Sequence, residues 1–311
     1  MNQPMNIALV TGGYSGESVI SYKSATTIYN HLDKSKFNVY VIDITNEGWF
    51  YSNNGTHEAV VDKNDFSITI EGKKIAFDCV FIGMHGTPGE DGRLQGYFDV
   101  LGLPYTSCSA ATSAITFNKR YTVAVAAFAG IHVAKSVHLF KHQPMDAADI
   151  NLQLPVFVKP NNGGSSIGMS KVNVIDELDT AIEKAFKEDD QVLIEEYIAG
   201  REFTVLVAAD AKDEKKCKVF QPIEFIFPEG RTFKTYALKT SELHPESNIP
   251  VTDAFIKQQL TEAAQRIFRS FGGVGYARMD FRMNDAGKLF FLEVNFTCSV
   301  FYTDGYEGSA D

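Results

Sequence analysis

A chain of 311 residues is too long for one small core, so two or three packed units are expected. Its 44% hydrophobic and 22% charged residues are ordinary for a globular protein, and 29 basic against 39 acidic side chains give a net charge of −10. That balance excludes a broad nucleic-acid or anionic-membrane surface, while leaving room for a small basic pocket around a phosphorylated ligand.

In chain order, Asn6 to Val10 reads as a buried strand ending in Gly12-Gly13, and Ser18 to His31 as a helix with Val19, Tyr22 and Ala25–Thr26 on one side. Strands follow at Phe37 to Ile44 and Ala76 to Ile82, the latter running into GMHGTPGEDG, and Gly96 to Leu101 is helical. This alternation predicts a mostly parallel sheet with helices on both faces. A helical stretch from Ser109 continues through Lys119 to Ala129, and the first boundary is placed near residue 115. Pro155 to Pro160 is a buried strand, Asp176 to Phe186 a helix, Gln191 to Tyr197 a strand, and Glu202 to Ala209 a strand of an antiparallel sheet. Thr252 to Phe271 has apolar residues Phe255, Ile256, Leu260, Ala263, Ala264, Ile267 and Phe268 at helical spacing. Gly275 to Met283 and Lys288 to Asn295 are strands joined by the turn NDAG. The division expected is 1–115, an N-terminal α/β domain; 116–200; and 201–311, carrying a metal site.

Four cysteines, Cys79, Cys108, Cys217 and Cys298, form no CxxC pair and do not suggest zinc. No basic segment leads into an apolar one, as in a signal peptide, and no apolar run reaches the ~18 residues of a membrane span. A cytoplasmic protein with reduced thiols is expected, with no membrane and no nucleic acid among its partners.

Asn161 to Gly168 holds Gly163, Gly164, Ser165, Ser166 and Gly168, a loop whose backbone N–H groups and hydroxyls can turn toward an anion. Lys159, two residues earlier, supplies positive charge, although no GK[ST] follows as in a Walker loop. The blander reading is a surface turn. Glu195-Glu196, then Tyr197-Ile198, end a strand where backbone and carboxylate can meet an adenine edge, with Glu202 for ribose hydroxyls; the alternative is an exposed acidic strand end. Asp280, Glu293 and Asn295 lie on neighbouring strands, with 293 and 295 on one face because strand side chains repeat every two residues. Such hard oxygen donors suit Mg²⁺ (or Mn²⁺), and Arg278, on the face of Asp280, can stabilise a charged intermediate; a salt-bridged sheet surface is the alternative. Glu17 and His85 each follow the carboxyl end of a strand, where ligands of parallel sheets bind. GGYSGE lacks the GxGxxG spacing of a dinucleotide fold.

GGYSGESVIS, HGTPGEDGRLQGYFDVLGLPYTSC, FNKRYT, VFVKPNNGGSSIGMSKV, EEYIAGREFTV, ARMDF and FFLEVN together make the chain resemble the D-alanine–D-alanine ligases of the ATP-grasp superfamily, from Asn6 to Asn295. The resemblance implies an ATP-grasp fold, α/β and α+β, behind an N-terminal parallel α/β domain, and formation of a dipeptide through an acyl phosphate for peptidoglycan precursors. It implies ATP bound by Lys119, Lys159, Ser165, Ser166, Glu195, Glu196, Ile198, Glu202 and Lys239, and two Mg²⁺ held by Asp280, Glu293 and Asn295. Glu17 would hold the ammonium of the first D-alanine, His85 would lie near its carboxylate, and Arg278 would face the oxyanion. Glu17, Ser166 and Arg278 form the expected catalytic set, in a homodimer.

Two departures concern the second substrate. The family's YDYEAKY loop is here KTYALKT, with Tyr236 and Lys239 kept and Thr240 in place of a tyrosine. After Glu-Val-Asn, FTCSVFYTDGYEGSAD replaces the family segment, and counting puts Asp304-Gly305 where Ser-Leu grips a carboxylate. Two like charges ~4 Å apart repel by roughly 1 kcal/mol in water and about 4 kcal/mol at an effective dielectric of 20. Ser299 or backbone N–H groups are the replacement donors if the segment is placed differently. The chain also stops about a helix short of the family's usual end. These departures keep two further readings open: a D-alanine–D-X or other carboxylate–amine ligase, and a non-catalytic nucleotide-binding module. The Ser165 loop and the 230–250 loop are expected to act as lids.

Overall fold

The computed structural model describes residues 3–143, 150–164, 166–210, 212–230, 232–233 and 248–298. Ser165, Tyr236, Lys239, Thr240, Ser299 and Asp304 lie outside the described residues, so the expectations attached to them and to most of the 230–250 loop stay with the sequence. The chain divides into two compact units. The first runs to Ala114 and takes in Val274–Tyr276 and residues 296–298; the second spans Ile115–Gly273 and Ala277–Asn295.

The first unit begins with β1 (Met5–Gly12) and α1 (Ser18–His31). It continues with β2 (Phe37–Ile44), β3 (Trp49–Asn53), β4 (Thr56–Val60), β5 (Ile68–Ile70), β6 (Lys73–Ile75), β7 (Cys79–Ile82) and α2 (Arg93–Leu101). Its five-stranded sheet has the order β4-β3-β2-β1-β7. Only β2, β1 and β7 are parallel, with Leu9 between Val41 and Phe81; β3 and β4 extend the sheet as an antiparallel hairpin, and β5 and β6 form a second one. The sheet is therefore mixed, because Asn54-Gly55, both at positive φ, turn the chain straight back after β3. Alternation divides the core: Val10, Ile42, Ile44, Ile82, Phe66 and Phe98 pack on one face, while Leu9 meets Ala25 and Ile28 of α1 on the other.

The buried side of α1 is Ser21, Ser24, Ala25 and Ile28; of the side expected, Ala25 is buried while Val19 and Tyr22 are exposed. The first turns of α1 present hydroxyls, not methyls, because they lie beside the polar loops at the strand ends. The helix expected across 109–129 is two helices, α3 (Ala110–Phe117) and α4 (Lys119–Phe128). Asn118 interrupts it with extended backbone, and its side chain accepts the Tyr121 N–H as an N-cap.

In the second unit, β8 (Ser136–Phe140), β9 (Val156–Pro160), β10 (Ser170–Val172) and β11 (Gln191–Glu196) form an antiparallel sheet of order β10-β9-β11-β8. Helix α5 (Leu178–Ala185) buries Leu178, Ala181 and Ala185 against Val156, Val158, Val172 and Ile194. A larger sheet holds β12 (Arg201–Asp210), β13 (Asp213–Val219), β14 (Ile223–Phe225), β15 (Asn248–Pro250), β16 (Tyr276–Met283) and β17 (Leu289–Asn295), ordered β15-β14-β12-β16-β17 with β13 paired to β12. The residue-200 boundary falls between these two sheets, inside one unit. Helix α6 (Ala254–Ser270) is capped by Asp253, whose carboxylate accepts the Phe255 and Ile256 N–H groups. It buries Ile256, Leu260, Ala263, Ala264, Ile267 and Phe268. Phe255 is 69% exposed, one helical step off that stripe, and does not belong to the core expected of it.

Candidate active site

In the first unit the loops after β1 and β7 are laced together at the carboxyl ends of parallel strands. Glu17 is 7% exposed and His85 6%. The His85 backbone N–H donates to Ser21 Oγ at 2.9 Å, and that hydroxyl donates to the Glu17 carbonyl at 3.4 Å. The His85 ring Nε2 meets Ser24 Oγ at 2.9 Å, which fixes the plane of the imidazole. Gly86 has φ +69°, and a Cβ there would lie 2.8 Å from Glu17 Oε2, so only glycine lets the His85 loop pass beside that carboxylate. Glu90 closes the turn by accepting the Gly86 N–H at 2.7 Å. Nearby, Tyr22 donates to Asp43 at 2.9 Å, and burial followed by this bond pushes its phenol up to about 12. The oriented imidazole, with the Glu17 carboxylate beside the Gly86 turn, can donate to an anion while the carboxylate holds an ammonium.

In the second unit Lys119 opens α4, and its Nζ donates to the Gly163 carbonyl at 2.5 Å. Asn161, fully buried, pins that helix start: its carbonyl accepts the Lys119 N–H at 3.0 Å and its Oδ1 the Arg120 N–H at 2.9 Å. Asp189 holds the next residue, accepting from the Asn162 backbone and side-chain amides at 2.7 and 2.9 Å. The glycine-rich segment is thus anchored at its base, and Ser166 adopts φ +59° within it. Lys159 Nζ reaches Glu195 Oε1 across the strand pair at 2.5 Å, both side chains nearly buried. Glu195 and Glu202 are buried, so the exposed acidic strand end is not what the structure contains. Glu196 faces Lys135 at 3.7 Å, and the Ile198 carbonyl and Glu202 carboxylate are both engaged by Arg282.

Strands β16 and β17 pair as expected. Asp280 lies opposite Glu293 and Arg278 opposite Asn295, which puts all four on one face. Arg278 Nη2 is 3.5 Å from Asp280 and 3.8 Å from Glu293, balancing both carboxylates. Thr204, buried on β12, donates to Asp280 Oδ1 at 2.7 Å. Among the described residues no three His, Cys, Asp or Glu side chains cluster; the third donor of this set is an amide. Asn295 Nδ2 is buried without a hydrogen-bond partner. Because the O and N of an amide exchange by rotation, that site suits a carbonyl oxygen aimed at a cation. Two carboxylates and an amide oxygen fit Mg²⁺, which fills its octahedron with water and phosphate oxygens.

Sequence reasoning missed Ser21, Ser24, Asn161, Thr204 and Arg282. The period-two face of β16 already carried the signal for Arg282, two residues beyond Asp280.

Comparison with known proteins decides the family. The sequence matches the D-ala D-ala ligase N-terminus over residues 6–108 and the D-ala D-ala ligase C-terminus over 117–301. It is 41% identical to a D-alanine--D-alanine ligase of Flavobacterium johnsoniae over 295 residues, 93% of this chain and 88% of that one. The chain belongs to the D-alanine–D-alanine ligase family. The family's enzymes are ATP-dependent carboxylate–amine ligases, and the fold is ATP-grasp. Two solved structures agree: D-alanyl-alanine synthetase A from Vibrio cholerae (TM-score 0.85, 27% identity, 96% of this chain and 90% of that one) and the VanG D-Ala:D-Ser ligase from Enterococcus faecalis (TM-score 0.80, 28% identity, 98% and 93%).

Proposed function

We propose that this enzyme joins two D-alanine molecules at the expense of ATP, making the dipeptide used in peptidoglycan precursors. The observation that carries the site assignment is the strand face bearing Arg278, Asp280, Glu293 and Asn295, with the buried Asn295 amide nitrogen unpartnered. In this reading Lys119, Lys159 and the Ser165–Ser166 loop neutralise the phosphates of ATP, with Lys239 assigned there from sequence. Glu195, Glu196, Ile198 and Glu202 frame adenine and ribose. Asp280, Glu293 and Asn295 hold Mg²⁺, which supplies charge neutralisation at the phosphates. Glu17 binds the ammonium of the first D-alanine and His85 its carboxylate side.

The carboxylate oxygen of the first D-alanine attacks the γ-phosphorus, and the bond to the β-phosphate oxygen breaks, giving an acyl phosphate and ADP. The amine of the second D-alanine then attacks the acyl carbon, and the C–O bond to phosphate breaks. Arg278 stabilises the negative oxygen that builds up at that carbon. Positioning and charge do most of this work, and no covalent enzyme nucleophile is needed.

The reading includes a cytoplasmic homodimer. No helix among the described residues is long and apolar enough to cross a membrane, and light scattering tests the dimer. The activity is tested by ADP release with D-alanine and Mg²⁺, then with D-serine and D-lactate as added acceptors, with products identified by mass. D-alanyl-D-alanine from D-alanine alone supports the reading. A mixed product with no homodipeptide reassigns the acceptor, and ATP binding without turnover for any acceptor removes the activity.

A further inference from the structure

Arg282 is 3% exposed, yet its charge is permanent. Its Nε and Nη2 donate to Glu202 Oε2 at 3.1 and 3.0 Å. Its Nη1 donates to the Ile198 carbonyl at 2.7 Å, and Nη2 also donates to the Thr232 carbonyl. The guanidinium carbon lies 5.1 Å from the ring centre of Tyr197 and 5.4 Å from that of Phe227. One side chain therefore ties together the start of β12, the 197–200 loop, Phe227 and Thr232. Gly200, at φ +123°, lets that loop press against the Met283 carbonyl beside Arg282, where any Cβ would collide.

A buried ion pair is a poor way to gain stability, since an apolar pair of similar volume often does as well or better. It is a good way to fix an orientation. Both bonds to Glu202 land on one oxygen, which sets the plane of the carboxylate and the direction of Oε1. The bond to Ile198 sets the turn of the backbone that follows Glu195-Glu196. Arg278, Asp280 and Arg282 occupy alternate positions of β16, so one strand face would serve the reacting carbon, the metal and the nucleoside in turn.

We infer that Arg282 is a positioning residue that determines nucleotide specificity, holding Glu202 and the Ile198 backbone in the orientation that reads the ribose hydroxyls and adenine of ATP. The inference rests on the assignment of Glu202 and Ile198 to the nucleotide made above. Losing hydrogen bonds to a charged group lowers affinity about 10- to 100-fold, so Arg282→Met raises the KM for ATP by that factor. The KM for D-alanine, and kcat at saturating ATP, stay unchanged. Preference for ATP over 2′-deoxy-ATP and 3′-deoxy-ATP falls toward unity, because Glu202 no longer has a fixed direction. Arg282→Lys keeps the charge without the planar fork, so it retains the fold but not the preference.

The experiment is calorimetric titration of ATP and both deoxy nucleotides into the full chain and the two variants, alongside kinetics against each substrate. Should Arg282→Met fail to fold, Arg282→Lys decides. Wild-type protein that binds ATP, with a folded variant showing unchanged ATP affinity and unchanged deoxy discrimination, overturns the inference alone. A parallel loss of kcat and of both affinities, tracking a fall in thermal stability, also overturns it. Wild-type protein that binds no ATP overturns the nucleotide assignment beneath it and the inference together.

Discussion

Thr204→Val tests the proposed metal role of Asp280 through the buried hydroxyl that holds it. The Thr204 hydroxyl is buried and donates to Asp280 Oδ1 at 2.7 Å. Valine has nearly the same shape and suits a strand, so no cavity opens and only the bond is lost. A hydrogen bond to a charged acceptor contributes about 1.5–3 kcal/mol. Relief from burying the hydroxyl returns roughly 0.5–2 kcal/mol, so the net destabilisation is about 1 kcal/mol by difference. The functional effect is larger: partners that orient a metal ligand are typically worth about 10- to 100-fold in metal affinity. Urea unfolding gives the first quantity, and the Mg²⁺ concentration for half-maximal ADP release gives the second. An unchanged urea midpoint together with an unchanged Mg²⁺ requirement would refute the role given to Asp280 and its neighbours.

Ser24→Ala removes the partner of His85 Nε2; it should raise the KM for D-alanine and leave that for ATP alone, as initial rates against each substrate will show, at a stability cost of about 1 kcal/mol. Tyr97 and Tyr105 are held at about 12, each chiefly by partial burial. The folded state keeps these protons after the unfolded chain, at about 10, has lost them. Their contribution is therefore complete below pH ~10 and is lost as pH rises through about 12. A denaturation series over that range should show falling stability, and a flat one would contradict the burial of these phenols. The Cys108 thiol is buried and pushed up by that burial, with nearby hydroxyls only partly opposing it; alkylation at neutral pH should leave it unmodified until the chain unfolds, as peptide mapping will report.

Much of the fold was legible because its strands are apolar runs bounded by glycine and its longest helix repeats cleanly. The β3–β4 hairpin was not, since Trp49–Asn53 and Thr56–Val60 are short and half exposed, with little burial pattern to read. The face expected of α1 agrees at Ala25 and departs at Val19 and Tyr22 for a physical cause: Ser21 and Ser24 are buried by their bonds to His85, and hydropathy treats such serines as surface. The break at Asn118 hid in an alanine-rich stretch without glycine or proline, because one cap and one β-bridge to Asn162 settle it. At the site, Lys159, Asp280, Glu293 and Asn295 stand out in the sequence by type and spacing, and Lys119 only through the family resemblance. Those that act by holding another residue do not. Asn161 and Thr204 carry no spacing signature, Arg282 has only its place on the period-two face of β16, and the packing of β9, β12 and β16 gives all three their partners.

The acyl-phosphate route is tested with D-alanine labelled with oxygen-18 in its carboxylate, incubated with the enzyme, ATP and Mg²⁺. Transfer of the γ-phosphoryl group to that carboxylate, followed by attack of the second amine, leaves one labelled oxygen in the released phosphate. D-Alanyl-D-alanine and singly labelled phosphate are expected in equal amounts. Unlabelled phosphate, or ATP consumed with no dipeptide, would contradict that route.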